Sequence, residues 1–318
     1  MKRLWPVGER RVRTAAASTR RRPAYLRARA RTGVLFASPA VFLMALFLVG
    51  PILGALALST TDFNVYAIGD WFRASFVGLQ NYWALGDDPL FWTTLRNTLY
   101  FVVIAVPLSI SLSLLVALLL NSPRLRLKGL FRLCYFLPVI TTTAAMAVVW
   151  RWVLNYRFGM VNWLLGYVGI DGPAWLADPR WAMLAVISMV IWRGLGFNML
   201  IFLAGLQGIP KTYYEAAKLD GAGTWALFRH ITVPLLKPTT FFVTIITLIG
   251  YIQLFEEPFI MTEGGPLNAT LSMAMYIYRL AFRFFHLGYA SSVAYVLFAI
   301  VLIATLLRMK LGRADVEY

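Results

Sequence analysis

The chain has 318 residues, 60% of them hydrophobic and 14% charged, with a mean hydropathy of +0.69. A soluble domain cannot bury that much apolar surface, so the composition excludes one and points to a protein that crosses a membrane several times. A net charge of +16 looks like a nucleic-acid signal, yet its distribution argues otherwise, because much of it sits at one end of the chain, ahead of the first apolar run.

Residues 1–32 form a basic tail. Eleven of the 30 Lys and Arg residues fall in it (Lys2, Arg3, Arg10, Arg11, Arg13, Arg20, Arg21, Arg22, Arg27, Arg29 and Arg31). Such a tail is retained in the cytoplasm and meets anionic lipid headgroups, so membrane lipid is the expected partner and nucleic acid is not. It is too long and Arg-rich for a secretory n-region, and no removal is expected.

Six apolar runs follow, at 34–58, 98–121, 133–150, 181–206, 238–255 and 287–307. Each comes near the roughly 20 helical residues that a hydrocarbon core requires. With their ends, the predicted spans are about 34–58, 98–121, 133–154, 181–206, 234–258 and 287–308, in a transmembrane domain 33–310 followed by a tail 311–318. Pro39 and Pro51 are candidate kinks in the first run, Pro107 lies in the second, Pro138 near the start of the third, and Arg193 interrupts the fourth. The uncharged stretch 264–278 opens on Gly264-Gly265-Pro266 and is too short to cross, so it reads as an outer loop entering the sixth helix.

Between the fourth and fifth runs, 207–233 is amphipathic. Pro210 can open a helix, and Glu215, Ala216, Ala217 and Lys218 are good helix formers. Asp220-Gly221-Ala222-Gly223 ends it, Thr224 is a candidate N-cap for a second short helix over 225–230, and Pro234 marks re-entry into the membrane. Two short helices at an angle, lying on the membrane surface, present a shape that can be gripped from the water side.

Lysine and arginine set the orientation. With the N-terminus inside, 22 of the basic residues fall in inner segments and seven (Arg73, Arg96, Arg151, Arg157, Arg180, Arg279 and Arg283) in outer ones, with Arg193 inside a span. Both termini and 207–233 are therefore expected in the cytoplasm.

Glu215-Ala216-Ala217, then Gly221, then Ile231 and Val233-Pro234 resemble the EAA loop of membrane permease subunits of bacterial ABC importers, with Val233 in place of the usual Leu. The resemblance runs from about residue 38 to 310. Phe76 to Tyr82, Asp88 to Trp92 and Arg96-Asn97-Thr98 look like the first outer loop of the carbohydrate-type permeases. Tyr135-Phe136-Leu137-Pro138 and Trp150 fit their third helix. Met261 to Pro266 and Tyr276 to Phe282 are similar to the maltose and glycerol-3-phosphate group, and within it to the permease called the first of the two. Unlike the maltose permease, the chain lacks extra N-terminal helices and a large outer domain.

The resemblance implies an all-α type I permease fold with six transmembrane helices. It also implies that 207–233 is a coupling helix seated in a groove of a cytoplasmic ATPase, with Glu215, Ala216, Ala217, Asp220, Gly221, Ala222, Gly223, Phe228, Ile231 and Pro234 as coupling residues. The partners implied are a second, similar permease, two copies of the ATPase and an extracytoplasmic solute-binding protein. ATP and magnesium belong to the ATPase, and no cofactor is expected on this chain.

Polar residues inside spans are costly and face a cavity or another helix. Gly250, Gln253 and Glu257 recur at i, i+3 and i+7, one face of a continuous helix, flanked by Tyr251 and Glu256. With Arg193 and Asn198 of the fourth span they are candidates for the substrate path, because the family carries its sugar contacts on these two helices. The alternatives are that Gln253 and Asn198 hold helices together, that the glutamates sit at the wet outer end, or that Arg193 pairs with one of them. Trp71, Phe72, Trp83, Trp92, Trp150, Trp152 and Trp181 fall near outer span ends, where an interfacial belt or stacking on a sugar would place them.

No constellation proposes enzymatic chemistry. Cys134 is a lone cysteine in an apolar run, His230 and His286 are far apart, no metal site is expected, and the Gly-x-x-x-x-Gly-Lys-Ser/Thr loop is missing. The expected function is that of a transmembrane subunit of an ATP-driven importer for a carbohydrate or related polyol, working by alternating access in the bacterial inner membrane. The rival is an ion-coupled secondary transporter, which needs an embedded carboxylate relay and inverted repeats. A membrane enzyme is a third, weaker reading.

Overall fold

The computed structural model describes residues 24–64, 74–123 and 125–311. Most of the basic tail, Trp71, Phe72, Arg73, Arg124 and the last seven residues lie outside them.

Among the described residues the chain is helical, with one isolated bridge between Thr61 and Phe76. It divides into residues 1–54 and 55–318. In the first unit α1 (Ala24–Met44) begins ten residues before the apolar run, so part of the predicted tail is helix. A π-turn at Ala45–Val49 follows, closed by the Gly50 N–H on the Ala45 carbonyl, and α2 (Gly50–Ser59) continues across the division. The π-turn sits just ahead of Pro51, a position where the missing N–H makes helical register easiest to change. Residues 32–59 make a span of 28 residues.

The second unit begins with α3 (Gln80–Asp87) and α4 (Pro89–Asn121). The second span was expected to start at 98, but α4 starts at Pro89, with Asp88 capping it by accepting from the Leu90 N–H. Thr94, Asn97 and Thr98, which look like loop residues in the sequence, are buried. Asn97 donates to the carbonyls of Asn268 and Leu271 at 2.7 and 3.1 Å, and Thr98 accepts from the Met273 N–H at 3.0 Å, so tertiary partners satisfy them inside a helix.

The third run was expected as one span. It is two helices, α5 (Lys128–Ile140) and α6 (Thr143–Val153), bent by 102°. Pro138 removes a hydrogen bond one turn before the break, and Thr142 starts the new helix by accepting from the Ala145 N–H. After α7 (Met160–Tyr167) comes α8 (Pro179–Gln207), close to prediction. Then follow α9 (Lys211–Leu219), α10 (Thr224–Leu227), a π-turn at Phe228–Thr232, α11 (Val233–Leu235), α12 (Lys237–Ile252), α13 (Glu256–Met261), α14 (Met273–Tyr278), a π-turn at Arg279–Arg283 and α15 (Leu287–Leu311).

The fifth span is shorter than predicted: α12 ends at Ile252, and α10–α11 join it through a 63° bend. Among the described residues four helices are long and apolar enough to span, and the two bent pairs bring the number to six when each pair counts as one span.

The core is the seam between α4 and α8. Phe101, Ala105 and Val106 of α4 share it with Val186, Met189 and Val190 of α8, and a second cluster joins Ala117 and Leu120 to Met199, Phe202 and Leu236. Lipid is as apolar as these side chains, so close fit and interhelical hydrogen bonds hold the seam. Gly196 shows the fit: a Cβ there would lie 2.0 Å from the Tyr135 carbonyl oxygen of α5, so only glycine lets α5 cross α8 at this depth.

Candidate functional site

Two regions carry the residues singled out by the sequence. The first is a cavity of about 490 Å³ lined by Thr143, Val190, Arg193, Gly194 and the run Gly250, Tyr251, Gln253, Leu254, Phe255, Glu256 and Glu257. The sequence predicted a continuous helix face here, and that is corrected: α12 stops at Ile252, Phe255 has φ −139° and ψ −60°, and Glu256 opens a new helix. The residues still meet, because the break folds the chain around the cavity. Thr143, just past the α5–α6 bend, lines it as well. Backbone that leaves the helix at membrane depth must be buried in protein or face a wet cavity, and both breaks border this one.

Arg193 Nη1 lies 3.3 Å from Glu257 Oε1, an ion pair between α8 and α13. Glu257 is buried, Glu256 is exposed and has no ion-pair partner among the described residues, and the buried Arg193 Nε has no acceptor. Asn198 lines an adjoining pocket of about 160 Å³ with Gly194, Gly250 and Tyr251. Its amide is committed to Thr247 Oγ1 at 3.0 Å and Ser109 Oγ at 3.4 Å, and the Tyr251 hydroxyl donates to the same Ser109 oxygen at 3.1 Å. These bonds join α4, α8 and α12 at one level. Sequence inspection missed Ser109 and Thr247, which look like ordinary small residues of apolar helices.

The second region is 207–235. α9 ends in a Schellman motif: the Ala222 N–H donates to the Ala217 carbonyl at 2.9 Å, the Gly221 N–H to that of Lys218 at 3.1 Å, and Gly221 has φ +82°. The break predicted at Asp220–Gly223 is therefore present, with the left-handed residue at Gly221. The predicted cap at Thr224 is corrected: Gly223 is the N-cap and Thr224 is the first helical residue, with no side-chain cap bond. Nor does the second helix stop at His230, since the π-turn carries it on into α11.

Thr232 ties the two arms. Its hydroxyl donates to the Leu227 carbonyl at 3.3 Å, so the Tyr214 hydroxyl, 3.0 Å away, is the donor in their contact. Glu215, Ala216, Asp220, Gly221 and Gly223 are exposed, while Ala217, Ala222, Phe228, Ile231 and Pro234 are half-buried. Leu219 and Trp225, missed in the sequence, are 89% and 70% exposed and flank the turn. These two large apolar side chains stand on either side of the Gly221 turn, one from each short helix.

A third cluster also escaped the sequence. Asp88 Oδ2 accepts from the Tyr276 hydroxyl at 2.5 Å and the Tyr289 hydroxyl at 2.9 Å, joining the starts of α4 and α15 to α14. Burial alone would raise the carboxyl, but the two tyrosines and the backbone N–H groups of Phe91 and Leu90 outweigh it and hold it below the usual carboxylate range. No group of three or more His, Cys, Asp or Glu that could hold a metal ion occurs among the described residues.

Comparison with known proteins agrees with this architecture. Residues 109–310 match the family described as binding-protein-dependent transport system inner membrane component. The lactose transport system permease protein LacF of Rhizobium radiobacter is 41% identical over 286 residues, covering 88% of this chain and 94% of that protein. The arabinooligosaccharides transport system permease protein AraP of Bacillus subtilis is 34% identical over 280 residues, 87% of each chain. A crystal structure of a bacterial ABC transporter that imports the acidic polysaccharide alginate has a chain with the same fold, at a TM-score of 0.78 and 22% identity, covering 93% of this chain and all of that one. A polytopic helical chain matched over most of its length by such permeases belongs to the binding-protein-dependent inner-membrane transport family and is a permease subunit of an ABC importer.

Proposed function

We propose that this subunit forms, with a second similar permease, the path for a carbohydrate or related polyol that a solute-binding protein delivers. The observation that carries the reading is the convergence of two helix breaks on one polar cavity. Thr143, Tyr251, Gln253 and Arg193 offer hydroxyl, amide and guanidinium groups there, and Phe255 offers a ring. A solute rich in hydroxyls suits donors and acceptors placed at an apolar wall. The names of relatives support the same class: lactose and arabinooligosaccharides are carried by the systems of two of them.

The distribution of basic residues supports a cytoplasmic location for both termini and for 207–233, with Asp88 and Glu263 outside. In that orientation Gly221 presents Glu215, Leu219 and Trp225 to a cytoplasmic ATPase, of which two copies serve the pair of permeases. ATP and magnesium act there. Closure of the ATPases pushes on α9–α10, and the Tyr214–Thr232 contact and α11 pass the movement to α12, which borders the cavity.

Proteoliposomes holding the whole importer should take up a neutral oligosaccharide only with ATP inside and binding protein outside. Uptake driven by an ion gradient without ATP would defeat the reading. Cysteine labelling should reach positions 88 and 263 from outside; labelling from the cytoplasm would reverse the orientation.

A further inference from the structure

The cavity has a sign as well as a shape. Its charged side chains are Arg193, Glu257 and Glu256, and Tyr251 adds a neutral phenol. Arg193 and Glu257 neutralise each other at 3.3 Å, which leaves Glu256 uncompensated. No other cation on the helices around it forms an ion pair with Glu256 among the described residues. Arg151 of α6 lines a separate cavity and donates to the Ile260 carbonyl, four residues further along α13, Arg180 pairs with Asp178, and Lys237 stands about 20 Å of helix from Gly250.

We infer that Glu256 makes this half of the path electronegative, so that it passes neutral glycosides and rejects anionic ones such as uronates and sugar phosphates. The inference rests on the cavity being the solute path. Inside a membrane protein a charge is poorly screened, so a single uncompensated carboxylate acts on any anion brought within a few ångströms. The carbohydrate class alone does not predict this preference; the unequal pairing of three side chains does.

The sign can be read without the transported solute. A Cβ built at Gly250 meets nothing within 4 Å, so Gly250→Cys in a Cys134→Ser background places a thiol in open space within the cavity. In the assembled importer, cationic and anionic methanethiosulfonate reagents of similar size should label that thiol at different rates. Relative to a free thiol in solution, the cationic reagent should be favoured about tenfold. Glu256→Gln should bring the ratio back to the solution value, and Glu256→Lys should invert it.

A ratio equal to that of the free thiol, a ratio indifferent to Glu256→Gln, or failure of both reagents to reach the thiol would each overturn the inference. Uptake of a neutral glycoside by the same proteoliposomes is a separate readout. Its loss with the charge ratio intact would sink the carbohydrate reading and leave the electronegative cavity standing.

Discussion

The break after α9 and the break after α12 are built from different materials. At the first, Asp220-Gly221-Ala222-Gly223 ends the helix by local chemistry, with Gly221 at φ +82° closing a Schellman motif. At the second, residues 253–255 contain neither glycine nor proline; Pro258 withholds the N–H that would reach the Leu254 carbonyl, and Phe255 takes φ −139° and ψ −60° with its ring stacked 5.2 Å from that of Phe259. The first break makes a convex turn that displays Leu219 and Trp225; the second makes a concave wall around Arg193 and Glu257. A surface that must dock can be specified by contiguous residues, whereas a cavity needs residues 143, 193 and 250–257 brought together by the fold.

If the second break depends on tertiary contacts, its ion pair is where it should fail first. Glu257→Ala leaves Arg193 with a buried Nε and no partner, and removing one member of a buried pair costs about 3–5 kcal/mol. Arg193 keeps a 32% exposed side chain, so about 2–3 kcal/mol is expected, read as a lowered thermal midpoint of the purified subunit complex. The double variant Arg193→Met with Glu257→Leu should recover most of it; equal losses in single and double variants would show that the pair does not hold the break.

A smaller effect is expected at the Asp88 cluster, which anchors the starts of α4 and α15 rather than either break. Asp88→Asn should cost about 1–2 kcal/mol, since it turns charge-assisted bonds into neutral ones. Because the folded carboxyl lies below its unfolded value of about 3.9, its contribution is complete above that pH and is lost as pH falls through the folded value. The parent should therefore lose stability below about pH 4 more steeply than Asp88→Asn; parallel curves would remove the carboxylate from the account.

The smallest structural effect belongs to Gln253. It is exposed at the end of α12, so Gln253→Leu should alter stability by less than about 0.5 kcal/mol while lowering transport or changing solute choice. Unchanged uptake kinetics would take Gln253 out of the path.

The same contrast explains what the sequence disclosed. The spans at 181–206 and 287–308 and the turn at Gly221 could be read directly, because apolar length and glycine chemistry are local signals. The start of α4 was misplaced because Thr94, Asn97 and Thr98 look polar, and the partners of Asn97 and Thr98 near residues 268–273 are about 170 positions away. The α5–α6 bend had only Pro138 and three threonines to announce it, which a helix buried among others can absorb. The pairing of Arg193 with Glu257 rather than Glu256 needed the break at 253–255, for which the one local signal is Pro258, unable to donate to the Leu254 carbonyl, and that proline went unweighed in the sequence.

The central claim is that α9–α10 transmits the work of an ATPase to the cavity, and Gly221 tests it most directly. A valine there would adopt a left-handed backbone at a cost of roughly 1–3 kcal/mol, confined to a turn where a Cβ meets nothing within 4 Å. The measurement is solute-stimulated ATP hydrolysis by the reconstituted importer carrying Gly221→Val, with Glu215→Ala beside it. The account predicts inserted, assembled permease whose stimulation by solute and binding protein is largely lost; stimulation and uptake at the parent level in both variants would contradict it.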